Sequence, residues 1–333
     1  MYTGVKEPSP TARILVVRLG AMGDIIHTLP AVASLKHSLP GSHITWAVAP
    51  QWAPLLEGNV FVDRVIGVER TSLAGLLRSR KELRREPFQL AVDFQGLIKS
   101  ALVASVAGPD RIFGFARSQV REKPAALFYS NYSAPTSAHV VDRNLDLARA
   151  AGASSLLYKF PLPAGESEGT LPGRDFVLAC PLAGWKAKQW PLEFYSQLAG
   201  RLEREMGLAL VVNGPPSSAG ILAGIPGAVA HTSGLPGLIY ATRKAKAVVG
   251  VDSGPLHLAA ALDKPGVAIF GPTDPSRNGP YRSSIEVLRS PAAETSYKRG
   301  AEIEGSMRAI PVERVMAVLE AQLHARPTAA HPF

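Results

Sequence analysis

Two glycine-containing turns in this chain carry side chains that could hold a phosphate or move a proton. The turn from Asp252 to Gly254 separates a β-branched run from Pro255 and the apolar stretch 256–262. A helix beginning there directs free N–H groups and its positive dipole end at a ligand, which suits a phosphate. His257 falls in the first helical turn and could reach the same anion. An ordinary βαβ unit whose polar residues only cap the helix is the alternative interpretation.

The other turn runs from Gly20 to Asp24, between a strand predicted over 13–19 and a helix predicted over 25–39 that contains Pro30. The helix dipole favours the ionised form of a carboxylate at the N-terminus. At the carboxyl edge of a parallel sheet, Asp24 would face the crevice where ligands bind. It could there take a proton from an attacking hydroxyl. Plain capping of the helix is the alternative role for this side chain.

Both turns belong to a βα alternation that runs through each half of the chain, with a Gly-, Pro- and Ser-rich segment at 152–175 between the halves. This pattern predicts the α/β class, with two doubly wound, Rossmann-like domains facing a cleft. We place them at 1–165 and 166–310, and expect the helix in 311–333 to pack back on the first domain. Neither G-x-G-x-x-G nor a P-loop motif occurs, which counts against a dinucleotide dehydrogenase or a P-loop NTPase.

Composition indicates a soluble, globular chain that is long enough for two cores. Of 333 residues, 46% are hydrophobic, and the mean hydropathy is +0.08. No apolar run reaches the roughly 18 residues of a membrane span, and the first residues do not resemble a secretory signal. The single cysteine, Cys180, excludes an internal disulfide and fits a reducing cytoplasm. We therefore predict a cytoplasmic location.

The net charge of +9 is concentrated in the first half of the chain. Residues 1–165 hold 19 basic against 12 acidic residues, whereas residues 166–333 hold 17 against 15. The first half therefore suits an anionic partner or an anionic membrane surface, and a helix predicted over 72–85 has a strongly basic face that could bind a phosphate or an acidic sugar. A solvated helix face is the alternative. Nucleic acid is not expected, because the basic residues are not interleaved with aromatic ones.

Five stretches of the chain, in order, carry a family resemblance. They are GAMGDIIHTLPAV at 20–32, DFQGLIKSAL at 93–102, REKPAALFYSN at 121–131, KQWPLEF at 188–194 and VDSGPLHLAAALDKP at 251–265, followed by FGPTDP at 270–275. The chain thereby resembles the lipopolysaccharide heptosyltransferases of glycosyltransferase family 9. The resemblance implies a GT-B fold and inverting transfer of heptose from ADP-heptose to the Kdo of an anionic Kdo-lipid A acceptor. It also implies that the protein is cytoplasmic and acts as a peripheral protein at the inner face of the cytoplasmic membrane.

The same resemblance assigns roles to individual residues. Asp24 corresponds to the general base that deprotonates the acceptor hydroxyl, Lys188 to the lysine on the donor phosphates, and Asp252 to the aspartate linked to the donor sugar. The further donor-binding positions are Ser253, Gly254, Pro255, His257, Ser218 and Gly214, and the acceptor-binding positions are Gly23, Lys99, Arg121 and Arg143. No metal or other cofactor is expected, because the chain has no Asp-x-Asp motif to hold a divalent ion on a diphosphate.

The chain departs from the family pattern around the donor. Ser217 and Ser218 stand where the family usually carries a glutamate on the donor ribose, and Ala183 and Gly184 replace threonines ahead of the lysine. Two alternatives therefore stay open. One is a related glycosyltransferase with another nucleotide-sugar or another acceptor, such as one that adds a second heptose. The other is a non-catalytic protein that binds nucleotides or polyanions.

Overall fold

Each half of the chain folds around its own six-stranded, all-parallel sheet in a computed structural model that describes residues 11–69 and 72–324. The two units divide between Pro163 and Ala164, inside the segment 152–175. The central strands are apolar on both faces, as strands covered by helices on both sides of a sheet must be. The predicted pair of doubly wound, Rossmann-like folds is confirmed.

In the first unit the strand order is β3-β2-β1-β4-β5-β6. The chain therefore reverses its winding between β1 and β4, where Val17 pairs with Asp93. Such a switch point opens a crevice at the carboxyl ends of the strands. The elements of this unit are β1 (Arg13–Val17), α1 (Met22–Ile26), α2 (Leu29–Ser38), β2 (His43–Val48), β3 (Arg64–Gly67), α3 (Leu73–Leu83), β4 (Leu90–Asp93), α4 (Ile98–Val106), β5 (Arg111–Phe115), β6 (Asn131–Ser133) and α5 (Val140–Ala150).

The second unit repeats this plan with the strand order β12-β11-β10-β7-β8-β9, so that its switch point lies between β7 and β10. Its elements are β7 (Phe176–Cys180), α6 (Leu192–Arg201), β8 (Ala209–Gly214), α7 (Ala219–Ala223), β9 (Val229–Thr232), α8 (Leu235–Lys244), β10 (Ala247–Val251), α9 (Gly254–Ala261), β11 (Gly266–Phe270), α10 (Pro275–Asn278), β12 (Ile285–Arg289), α11 (Gly305–Arg308) and α12 (Val312–His324).

The single helix predicted over 25–39 is in fact two helices, α1 and α2. Pro30 has no N–H to donate to the carbonyl of Ile26, so a continuous helix would lose a bond there. In the first turn of α2 the missing N–H costs nothing. Asn144 then donates its Nδ2–H to the carbonyl of His27 in the break, over 3.0 Å.

The helix that we expect to pack back on the first domain is α12, and the structure describes its place within the second unit. Its apolar stripe belongs to the core of the second unit, where it lies against β11 and α6. The segment ahead of it is fixed there too, because the indole N–H of the buried Trp190 donates to the carbonyl of Ile310 over 3.0 Å. Residues 325–333 lie outside the described part. Within the described ranges, no helix combines the length and apolar character that crossing a membrane requires.

Candidate active site

Asp24 lies in the first turn of α1, at the switch point of the first unit. Its Oδ1 atom is 2.7 Å from Nη2 of Arg18, and its Oδ2 atom accepts the N–H of Ala21 over 3.3 Å. One third of the side chain is exposed to solvent (33%), so a substrate hydroxyl can approach the carboxylate. Asp24 is the third residue of α1, after the N-cap residue Ala21, and its carboxylate is both oriented and accessible.

Arg18 is a buried partner of Asp24 that the sequence analysis missed. Its side chain is only 4% exposed, and one Nη atom donates to the carbonyl of Phe94, beyond the end of β4. The carbonyl of Arg18 accepts the indole N–H of Trp46 over 3.2 Å. The Trp46 bond fixes the backbone of Arg18, while the planar guanidinium bridges the Phe94 carbonyl and the Asp24 carboxylate and thereby orients the carboxylate. The available signal was an arginine between apolar residues at the carboxyl end of the stretch RILVVRL, because a buried charge needs a partner.

The loop that receives Arg18 is built on Asp93, a fully buried carboxylate. Asp93 accepts hydrogen bonds of 2.8 Å from the hydroxyls of Tyr129 and Ser100, and of 2.9 Å from the N–H of Gln95. Gln95 in turn accepts the N–H of Leu19 over 2.8 Å. Burial raises the pKa of Asp93, although these hydrogen bonds act in the opposite direction. Burial and the neighbouring Asp93 likewise raise the pKa of Tyr129.

We expect Tyr129→Phe to lower the free energy of unfolding by about 1–3 kcal/mol, because a buried carboxylate loses one of its donors. Urea unfolding measures the effect. Tyr132→Phe is the matched control, since Tyr132 is 71% exposed, and we expect it to change stability by less than about 0.5 kcal/mol. Equal values for the two variants would contradict the assigned role of Tyr129.

Of the predicted acceptor residues, the structure places Gly23 and Arg121 beside Asp24. Gly23 directly precedes it in α1, and Nη1 of the exposed Arg121 is 3.9 Å from Oδ2 of Asp24. Arg143 lies on α5 and its Nη2 is 3.5 Å from the carbonyl of Gln119, in the loop that carries Arg121. Lys99 is exposed near the start of α4 and lines a groove between α3 and α4. The four predicted acceptor-binding residues therefore lie at three places in the first unit: beside Asp24, on α5 and on α4.

The second unit gathers a charged cluster at its own switch point. Nζ of Lys188, in a short 3-10 turn after β7, is 2.5 Å from Oδ2 of Asp252, which follows β10. Nδ2 of Asn278 donates to Oδ1 of Asp252 over 2.7 Å, and Nε2 of His257 lies 3.6 Å from the same atom. Lys188 also faces the ring of Trp185 at 4.4 Å. Asn278 and Trp185 were not among the predicted site residues, although each lies three residues from a quoted motif.

Asp252 stays ionised in this cluster. Burial raises the pKa of its carboxyl, but His257 and the Lys188 ammonium lower it by more, so the pKa lies below its ordinary value. This carboxylate is bonded to side chains and does not cap α9. The lysine beside it has three N–H donors, so it can contact the carboxylate and a phosphate at once.

The start of α9 offers free hydrogen-bonding capacity next to this cluster. Ser253 is the N-cap residue, but its hydroxyl makes no capping bond. Its Oγ atom is buried and, among the described residues, has no hydrogen-bond partner. Gly254 and Pro255 form the first helical turn, and Pro255 has no N–H to leave unsatisfied. An unused hydroxyl at a helix N-terminus beside a lysine is suited to bind an anion.

Gly214 and Ser218 lie at the carboxyl end of β8, the neighbour of β7. A Cβ atom at Gly214 would lie 3.4 Å from Cβ of Ser218 and 3.2 Å from Cδ1 of Leu222, so a larger residue would crowd this turn. Both residues thus share the sheet edge of the charged cluster. Within the described ranges, no group of three His, Cys, Asp or Glu side chains is placed to hold a metal ion. Independence from metals stays a prediction.

Two Rossmann-like units, each with charged side chains at its switch point, are the architecture of the GT-B glycosyltransferases. Residues 76–306 match the family model described as glycosyltransferase family 9 (heptosyltransferase), and the chain belongs to this family. The family resemblance of the sequence motifs is thereby confirmed, and the protein is an enzyme.

Named relatives and solved structures agree with this assignment. The chain is 32% identical to lipopolysaccharide heptosyltransferase 1 of Pseudomonas aeruginosa, over 83% of each chain. It is 29% identical to the protein of that name from Escherichia coli K12, over 84% of this chain and 94% of the other. The structure of E. coli heptosyltransferase WaaC with ADP aligns with a TM-score of 0.76 at 25% identity, covering 93% of this chain and 99% of that one.

Proposed function

We propose that this enzyme transfers L-glycero-D-manno-heptose from ADP-heptose to the Kdo of a lipopolysaccharide inner core, with inversion at the anomeric carbon. The observation that carries the proposal is Asp24, accessible and held by Arg18 at the switch point of a family 9 chain. The similarity to proteins named lipopolysaccharide heptosyltransferase 1 supports the choice of sugar and acceptor.

In the proposed step, Asp24 takes the proton of a Kdo hydroxyl while that oxygen attacks the anomeric carbon of the heptose. The new glycosidic bond forms on the face opposite the leaving group. The bond from the anomeric carbon to the diphosphate oxygen breaks, and ADP leaves with its electron pair. Negative charge grows on the β-phosphate, where the Lys188 ammonium and the N-terminus of α9 would stabilise it.

We assign the acceptor to the first unit and the nucleotide-sugar to the second. The first unit carries the larger excess of basic residues, which suits the phosphates and carboxylates of Kdo-lipid A, and Arg121 lies beside Asp24. The second unit holds Lys188, Asp252 and the open hydroxyl of Ser253. We further propose a peripheral position at the cytoplasmic face of the inner membrane, through the basic first unit. No metal takes part in this scheme.

A substrate panel tests the proposal. We expect calorimetry to give a dissociation constant for ADP at least about tenfold below those for UDP and GDP, or about 1.4 kcal/mol of discrimination. We expect turnover with ADP-heptose on Kdo-lipid A. An acceptor that already carries one heptose is the control for second-heptose transfer. Equal affinity for the three nucleotides would contradict ADP-heptose as the preferred donor. Faster transfer to the heptosylated acceptor would contradict the assigned acceptor.

A further inference from the structure

The first unit has an apolar groove outside the site of Asp24. It lies between α3 and α4 and has a volume of about 470 Å³, within the range of pockets that bind small molecules. Leu83 and Val103 form its buried floor, while Leu76, Leu77 and Leu102 stand at its exposed sides. Arg84 ties the two helices together by donating its Nε–H to the carbonyl of Val106 over 2.9 Å. This hydrogen bond holds the two helices that form the walls of the groove together.

Exposed apolar side chains are concentrated around this groove. Twelve large hydrophobic residues are exposed in the described ranges, and α3 and α4 contribute five of them. Leu77 is 57% exposed and Leu102 is 46% exposed. Three of the five, Leu76, Leu77 and Leu102, line the groove itself, and a cluster of exposed apolar side chains marks a place where a partner removes them from water. The five residues are Leu73, Leu76, Leu77, Ile98 and Leu102.

The rim of the groove is basic. Arg80 and Lys99 line it, and Lys81 follows on the exposed side of α3. Elsewhere on the helix the cations are neutralised, as in the ion pair of 2.7 Å between Arg78 and Glu69. In the part of the chain that the structure describes, Arg80, Lys81 and Lys99 take part in no ion pair, so their charges are available to an anionic partner.

We propose that this groove is a membrane-docking surface for an anionic phospholipid leaflet, in which the exposed leucines at its sides enter the acyl layer while Arg80, Lys81 and Lys99 contact the headgroups. Exposed leucines beside basic side chains match a lipid surface, because the leucines can enter the hydrocarbon while the cations stay at the negatively charged headgroups. Leucine side chains gain by leaving water, and long basic side chains reach up to the headgroups. The proposal deepens the membrane contact proposed above and identifies the elements that make it. Its test needs neither substrate.

Flotation of the full chain with vesicles measures the docking. We use phosphatidylglycerol mixed with phosphatidylcholine, and pure phosphatidylcholine for comparison, in the absence of donor and acceptor. We expect the unaltered chain to bind the anionic vesicles at low salt and to bind pure phosphatidylcholine at least tenfold more weakly. R80Q/K81Q should lower the partition coefficient on anionic vesicles by about 10- to 30-fold, since each basic residue near the surface contributes to attraction.

A second variant tests the apolar part of the docking surface. We expect L77Q/L102Q to lower binding to anionic vesicles at least about tenfold, because two leucines can no longer enter the acyl layer. Matched controls are V60Q/I221Q for exposed apolar residues elsewhere and R204Q/K244Q for exposed cations on the second unit, and neither should change binding more than twofold.

Wild-type vesicle binding by L77Q/L102Q, or equal losses in the controls, would overturn the proposal. Heptose transfer to a deacylated, water-soluble acceptor is measured on the same L77Q/L102Q variant, and we expect it to be unchanged. That second readout separates the two proposals. Loss of docking with normal transfer supports the membrane surface. Absence of transfer in the unaltered chain contradicts the proposed function and leaves the flotation result standing.

Discussion

Asp24→Asn should lower kcat/KM for heptose transfer by about 10²- to 10⁴-fold, the contribution typical of a general base. An amide cannot accept the hydroxyl proton, but its oxygen can still receive the hydrogen bond from Arg18, now 2.7 Å from the carboxylate. We therefore expect the affinity for ADP to change by less than twofold, since the predicted donor residues lie in the second unit. Transfer assays and calorimetry on the same preparation measure both quantities.

Two controls make this experiment specific. Asp110→Asn removes an exposed carboxylate of the same unit and should leave transfer unchanged. The other control addresses Arg18, because a buried cation that loses its charged partner can destabilise the fold. The double variant D24N/R18M also removes the buried positive charge of Arg18. If inactivity of D24N came from misfolding alone, the double variant would recover activity. We expect it to remain inactive, and full transfer by D24N would refute Asp24 as the base.

The features that could be predicted from the sequence are those that local residue chemistry determines. Apolar runs, glycine turns and helix periods identified two doubly wound sheets. Those sheets place the residues after β1 and β10 at the two switch points, because strand order decides which carboxyl ends lie together. Asp24 and Asp252 were therefore predicted correctly to lie at the carboxyl edges of the two sheets. Their functional roles remain predictions.

Long-range contacts explain what the sequence analysis missed. Arg18 and its acceptor Phe94 are 76 residues apart, and no local pattern shows that they will meet. The edge strand β6 covers only Asn131–Ser133 and has no apolar alternation to reveal it, because an edge strand needs little burial. The packing of α12 depends on which core has an uncovered apolar face. The apolar stripe of the helix shows only that it packs against some core, and does not indicate which unit provides it.

Lys188→Ala should weaken ADP binding by about 10- to 100-fold, because a charge-assisted hydrogen bond to the diphosphate is lost. Transfer should fall by a further factor of about 10² or more, since the leaving phosphate gains charge as the glycosidic bond breaks. Lys186→Ala is the matched control. Lys186 lies in the same short turn but is exposed, and Lys188 is mostly buried against Asp252. Calorimetry with ADP and single-turnover assays with ADP-heptose give the two numbers.

The loss has two physical sources, and a double variant separates them. Removing Lys188 also leaves the buried carboxylate of Asp252 without its cation, 2.5 Å away in the unaltered chain, and that carboxylate would then repel a diphosphate. K188A/D252N removes the repulsion and retains the loss of the ammonium. Recovery of ADP binding in the double variant would mean that Lys188 acts only by neutralising Asp252. We expect ADP affinity to stay at least tenfold below that of the unaltered chain, because the lysine has donors for the phosphate as well as for the carboxylate.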